Sequence, residues 1–192
     1  MSDIVTVSSV REESAGQRKI FILLTQFPGR EARVLRWYTG CPYTHASIGL
    51  DEDMNTFYSF VMKGFIVEDI NRYNRPGRTP FPCALYALDV SEEVYQAVRE
   101  NLHTYVRNRE NLRYTKVGLA LSLARIPWRI KNGYICSYFV AEVLHRCTGT
   151  RLRRHSTLCM PKDFVRSRDL QMVFHGDLLH YARRFGSRPY MA

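Results

Sequence analysis

The sequence has five cysteines but no C-x-x-C pair. Cys41, Cys83, Cys136, Cys147 and Cys159 are odd in number and stand at wide, irregular intervals. A structural zinc site draws its ligands in close pairs, so none is expected, and no other metal or cofactor is called for. Free thiols in a reducing compartment are the economical reading. The first residues, "MSDIVTVSSVREESAGQRK", lack the apolar core of a signal peptide. The longest apolar run, "VGLALSLARIPW", is too short to cross a bilayer and is interrupted by Arg125 and Pro127. The expectation is a soluble, cytoplasmic protein without a transmembrane segment. Internal repeats and low-complexity tracts are absent. Acidic residues are scarce, 18 against 28 Lys and Arg, which leaves a net charge of +10. That charge suits an anionic partner such as nucleic acid, acidic lipid head groups or acidic cell-wall polymers, and does not choose among them. No helix-turn-helix, RRM-like aromatic signature or zinc knuckle is present, so nucleic acid has the least support.

What remains is a chain of 192 residues, 45% apolar and 12% aromatic, enough for one sizeable core. Residues 1–18 read as a polar N-terminal segment and 19–192 as a single domain. "KIFILLTQF" (19–27) has the unbroken apolar character of a central strand. A short helix over 29–40 closes at Gly40. Strands follow at 44–50, at "TFYSFV" and at "GFIVEDI", with "MKG" turning between the last two. A Pro-, Gly- and Arg-rich loop (71–82) leads to a strand at 83–90. Ser91 and two glutamates then start a helix whose apolar face is Val94, Ala97, Val98, Leu102 and Tyr105. Further helices are predicted over 114–126 and from Cys136 to Gly149, then a short one in "MPKDFVRSR" and a last strand in "LQMVFHGDL". "LLHYARRF" has no assigned state. Strands first and helices after indicate an α+β fold, an antiparallel sheet covered on one side.

The stretch "NGYICSYFVAEVLHRCTG" (132–149) places Cys136 at the start of an amphipathic helix, with Phe139, Val140, Val143, Leu144 and Cys147 at helical spacing. A thiol on the first turn lies in the positive end of the helix macrodipole, which favours thiolate. Packing as a small apolar residue is the competing role. A nucleophile needs a base, and His45, opening the strand in "CPYTHASIGL", is the best placed of the six histidines. His145 sits nine positions along the same helix, about two and a half turns from Cys136. His103 reads as solvent-facing, His155 lies in a basic loop, and His175 and His180 flank the C-terminal element.

"YTHASIGLDEDMNTFYSF", followed about ninety residues later by "YICSYFVAEVL", resembles the circularly permuted branch of the NlpC-type papain-like cysteine hydrolases. That branch includes the YiiX-like proteins and the lecithin:retinol acyltransferase-like enzymes. The shared pattern is a histidine opening a strand, H-[AVS]-x-[IL], and later a cysteine at a helix start, C-[ST]-x-[FL]-[VI]. Histidine precedes cysteine, the reverse of ordinary papain-like enzymes. The resemblance covers roughly 19–148. It implies a permuted papain-like fold, Cys136 as nucleophile and His45 as general base. The position matching the residue that orients the imidazole is Ser59, where relatives often carry a glutamate or another polar residue. A serine can hold the ring but cannot stabilise an imidazolium as a carboxylate does, and Glu68 and Asp69 on the next strand are alternatives. The backbone N–H of Cys136 is the expected oxyanion donor. Tyr43 is a candidate second donor and Tyr134 a candidate pocket residue, with packing the competing role for both.

The expected function is a thiol hydrolase, a peptidase, amidase or esterase, working through an acyl-thioester. The alternatives are a lipid acyltransferase of the same fold and a catalytically inactive basic module that binds nucleic acid or other anions. "RLRRH" (151–155), "RSR" (166–168), "ARRFGSR" (182–188) and Arg72, Arg75 and Arg78 would suit a peptide, cell-wall fragment or lipid with negative charge. "GLALSLARIPWRI" (118–130) reads first as a core helix on the sheet, and second as the lining of an acyl-chain groove.

Overall fold

The computed structural model describes residues 17–74, 81–150, 152 and 154–185. The polar segment 1–16, Arg75, Arg78, Arg151, Arg153 and Arg188 lie outside the described residues. Strands β1 (Arg18–Thr25), β2 (His45–Leu50), β3 (Thr56–Val61), β4 (Gly64–Asp69), β5 (Pro82–Val90) and β8 (Gln171–Asp177) form one antiparallel sheet, and two short strands, β6 (Arg113–Tyr114) and β7 (Gly133–Tyr134), pair in parallel. The large sheet runs β4-β3-β2-β1-β5-β8. The helices are α1 (Arg30–Thr39), α2 (Glu92–Arg107), α3 (Lys116–Leu123), α4 (Cys136–Thr148), α5 (Pro161–Val165) and α6 (Leu178–Phe185).

β1 is central, which explains its apolar run. Its side chains alternate between two cores. Ile20, Ile22 and Leu24 join Ile48, Tyr86, Tyr95, Phe139 and Val143 beneath α2 and α4. Phe21 and Leu23 join Phe57, Leu85, Phe174 and Tyr181 beneath α6. The sheet is therefore covered on both faces, not one. The second cover is "LLHYARRF", whose helix buries Leu178, Tyr181 and Ala182. Tyr181 is fixed there because its hydroxyl donates to the carbonyl of Met54 at 2.7 Å.

Caps set the helix limits. The Ser91 side chain accepts from the Val94 N–H at the start of α2. Gly40 and Gly149 end α1 and α4 in the left-handed region, at φ 64° and 68°, where a Cβ would be strained. α4 is buried at every position from Cys136 to Leu144. Phe139, Val140, Val143 and Leu144 each contribute about 1.5–3 kcal/mol by leaving water, so this helix is fixed firmly against β2 and β3. Glu142 is the one charge within that buried run. Its carboxylate accepts from Arg129 at 2.6 Å and pairs with Arg146.

α3 departs from the expected core helix. It is shorter than 114–126, because Thr115 caps it and Ala124 ends it. Among its residues only Ser122 is buried. Leu119, Leu121 and Leu123 are half-buried, Val117 and Ala120 are exposed, and the helix packs on the short turn Ser156–Leu158.

Candidate functional site

His45 is the first residue of β2 and Cys136 the first of α4. The packing of α4 on the sheet brings these two ends together, and the imidazole and the sulfur interact by hydrogen bonding and charge. Both side chains are buried, at 5% and 9% exposure. Among the described histidines only His45 is buried; His103, His145, His155, His175 and His180 are exposed.

Burial alone would push the Cys136 thiol up. The hydrogen bond and charge of His45, with the backbone N–H groups of Ala46 and Ser137, outweigh burial and hold it below the ordinary thiol range. Burial would likewise push the imidazole down. The Cys136 sulfur and, more weakly, the Glu68 carboxylate hold it above its ordinary value. Both shifts favour thiolate beside imidazolium. The other four cysteines shift the opposite way. Burial raises Cys41 and Cys147, takes Cys83 up to about 12, and raises Cys159 well above the usual range.

The start of α4 adds donors. The first intrahelical bond is from Phe139 N–H to the Ile135 carbonyl at 3.0 Å. No side chain caps this end. The N–H groups of Cys136, Ser137 and Tyr138 therefore lie ahead of the hydrogen-bond ladder, where an oxyanion can be received.

Ser59 occupies a different place from the one expected of it. Its buried hydroxyl donates to the carbonyl of Ala46 at 2.7 Å, so it braces the backbone whose N–H meets the Cys136 sulfur. His45 Nε2 is buried and makes no hydrogen bond. Besides the Cys136 sulfur, the Glu68 carboxylate adds a weaker negative charge acting on the ring, opposed by Arg72. This carboxylate is 3% exposed, accepts from the Tyr73 hydroxyl at 2.7 Å and pairs with Arg72 at 3.0 Å. Asp69 is exposed and instead accepts from the Asn71 N–H at 2.8 Å. Replacing Glu68 by Gln is expected to lower the His45 pKa, because a charge that favours imidazolium is removed. The alkaline limb of turnover would move to lower pH, and an NMR titration of the ring would read the shift directly.

The two tyrosines pack. Tyr43 is buried in the core beneath α4, and burial, with Tyr86, Cys83 and Cys41 around its hydroxyl, pushes it up to about 12. Tyr134 stacks on Phe60 at 4.8 Å and on Tyr138 at 5.1 Å, and the hydroxyl of Tyr105 donates to its own at 3.4 Å.

Sequence reasoning missed the anchor beside the thiol. The Ser137 hydroxyl donates to the Cys159 carbonyl at 2.6 Å, tying the loop before α5 across the start of α4. The serine or threonine in C-[ST]-x-[FL]-[VI] is the signal that could have found it. Among the described residues, no three of His, Cys, Asp and Glu are grouped to hold a metal ion.

This architecture places the chain among α+β proteins with a YiiX-like fold. The crystal structure of the metalloprotein YiiX from Escherichia coli O157:H7, DUF1105, superposes with a TM-score of 0.58 at 12% identity, covering 81% of this chain and 96% of YiiX. No family model matches the sequence, and no curated protein does. Among the described residues, no helix is long and apolar enough to cross a membrane.

Proposed function

We propose that the protein is a thiol-dependent hydrolase of the permuted papain-like, NlpC-type kind, cleaving an amide or ester through an acyl-thioester on Cys136. One observation carries the reading: of five cysteines, the one at the start of the buried helix lies against the one buried histidine and is the one held below the ordinary thiol range. A buried cysteine kept only for packing would have its pKa raised, as the other four do.

In the proposed reaction the Cys136 thiolate attacks the acyl carbon, and its electron pair forms the carbon–sulfur bond. The carbonyl electrons move to oxygen, which accepts from the N–H groups of Cys136 and Tyr138 at the start of α4. Collapse of this intermediate expels the amine or alcohol, which takes the proton of the His45 imidazolium. Water then attacks the thioester, His45 accepts its proton, and the acid leaves as the thiolate returns. Glu68 favours the imidazolium through space, and Ser59 holds Ala46 in place. A lipid acyltransferase would share every step to the thioester and differ only in the acceptor. YiiX is described as a metalloprotein, and the described residues here offer no grouping for that chemistry.

Electrophilic acyl probes of varied chain length and charge, followed by peptide mass spectrometry, test the reading. A probe adduct on Cys136, lost in Cys136→Ala, is the expected result. Adducts spread over all five thiols, or none with any probe, would leave only a basic, non-enzymatic module.

A further inference from the structure

α3 is built the wrong way round for a core helix. It is apolar at Val117, Leu119, Ala120, Leu121 and Leu123, yet the side chain it buries is Ser122, whose hydroxyl donates to the Met160 sulfur at 3.5 Å. Val117 is 63% exposed. Just after it Ile126 and Trp128 are 47% and 65% exposed. α1 has the same character, with Val34 at 64% and Trp37 at 85%. Both tryptophans of the chain are thus turned to solvent. The two helices are joined, because the Tyr38 hydroxyl donates to the Leu123 carbonyl at 2.6 Å.

The surroundings are basic. Arg30, Arg33 and Arg36 lie on α1 with one acid, Glu31; Lys116, Arg125, Lys131 and Arg129, the last paired with Glu142, lie on α3 and the segment after it. From 111 to 141 the sequence contains no acidic residue. Arg125 holds its backbone at φ 60°, in the left-handed region, and so stops α3 and turns out the segment that carries Ile126 and Trp128. A glycine would adopt that conformation more easily, yet the position carries a cation. Beside it a cavity of about 150 Å³ opens between α1 and α3, lined by Arg125, Arg154 and Lys162 along with Ser122 and Thr39. Arg154 is shared with Asp163 at 3.4 Å.

Exposed tryptophans and aliphatic side chains set among cations match the boundary of a bilayer, where indole rings settle at head-group level and basic side chains meet anionic lipid. A second copy of this chain is a poor occupant, since it would set cations against cations. We propose that the face made by α1, α3 and residues 124–131 docks on the surface of a bilayer containing anionic phospholipid, with a head-group phosphate in the cavity between Arg125 and Lys162. The helices lie on the membrane and do not span it. The docking surface is independent of any reaction at Cys136.

The test is flotation of the full chain with vesicles of phosphatidylcholine alone and with phosphatidylserine added, alongside tryptophan fluorescence. Binding to the anionic vesicles, a blue shift of the emission and release by salt are expected. The double variant Trp37→Ala/Trp128→Ala should lose about tenfold or more in vesicle affinity. Both side chains are exposed, so it should keep its melting temperature and its Cys136 alkylation rate. Arg33→Glu/Lys116→Glu should weaken binding to anionic vesicles only. No binding to anionic vesicles would overturn the proposal, as would binding that survives loss of both tryptophans. So would self-association of the lipid-free chain that the tryptophan variant abolishes, because the face would then belong to a second copy.

Discussion

At pH 6, iodoacetamide is expected to alkylate Cys136 and leave Cys41, Cys83, Cys147 and Cys159 unmodified. An ordinary thiol, with a pKa near 8.5, is about 0.3% thiolate at that pH. The four other cysteines are shifted upward and present less. Cys136 is shifted downward by His45 and by the N–H groups of Ala46 and Ser137. The profile of alkylation follows from the signs. As pH falls through the lowered Cys136 pKa, the thiolate is lost. For turnover, protonation of the leaving group fails as pH rises through the raised His45 pKa. Hydrolysis should therefore follow a bell whose acid limb lies below the ordinary thiol range and whose alkaline limb lies above the ordinary imidazole value of about 6.5. Cys136→Ala should abolish both the label and any acyl adduct while the fold survives. With the sulfur gone, burial drives His45 neutral, so no uncompensated charge is left inside. Peptide mapping decides the point, and equal, slow labelling of five thiols would overturn it.

The second large effect is expected from His45→Ala. The imidazole provides the hydrogen bond and the nearest positive charge to the sulfur. Without it, desolvation has only the backbone donors to oppose it, and the Cys136 pKa rises. Each unit of rise costs about tenfold in thiolate at low pH, so labelling at pH 6 should fall at least that far and recover only toward alkaline pH. Turnover should fall further, by about 10²–10⁴, since a general acid and base is lost as well. A labelling rate unchanged by His45→Ala would mean that the two side chains do not act together.

Much of this was legible in the sequence because local signals agreed. Ser91, Gly40 and Gly149 mark helix limits that the structure keeps. His45 and Cys136 could be picked out because each opens an element, and an element's end is where a buried side chain still meets substrate. Glu68 was harder. Its carboxylate lies in register with Phe57, on that residue's buried face, and this follows only once the turn between Val61 and Gly64 fixes the pairing. Ser59 was found as a residue but not as a role, because its partner is a backbone carbonyl that no side-chain pattern reveals. α3 misled for a related reason. Its composition says buried, and whether a neighbour exists to bury it depends on where α4 and the sheet have already met. α6 is ambiguous in the sequence, although its Leu178, Tyr181 and Ala182 form one face, since eight residues are too few to stand without tertiary support.

The order of strands has a consequence for how the chain acquires its chemistry. Thr25 and Leu24 on β1 hold β2 in register on one side and β5 on the other, so the end of β2 is placed only when distant stretches have paired. The sulfur comes from a helix some ninety positions downstream of the imidazole. Loop closure over that span is slow. A newly made or denatured chain therefore carries five equivalent, sluggish thiols, and selective reactivity at one of them switches on late, as a chemical clock for completed folding.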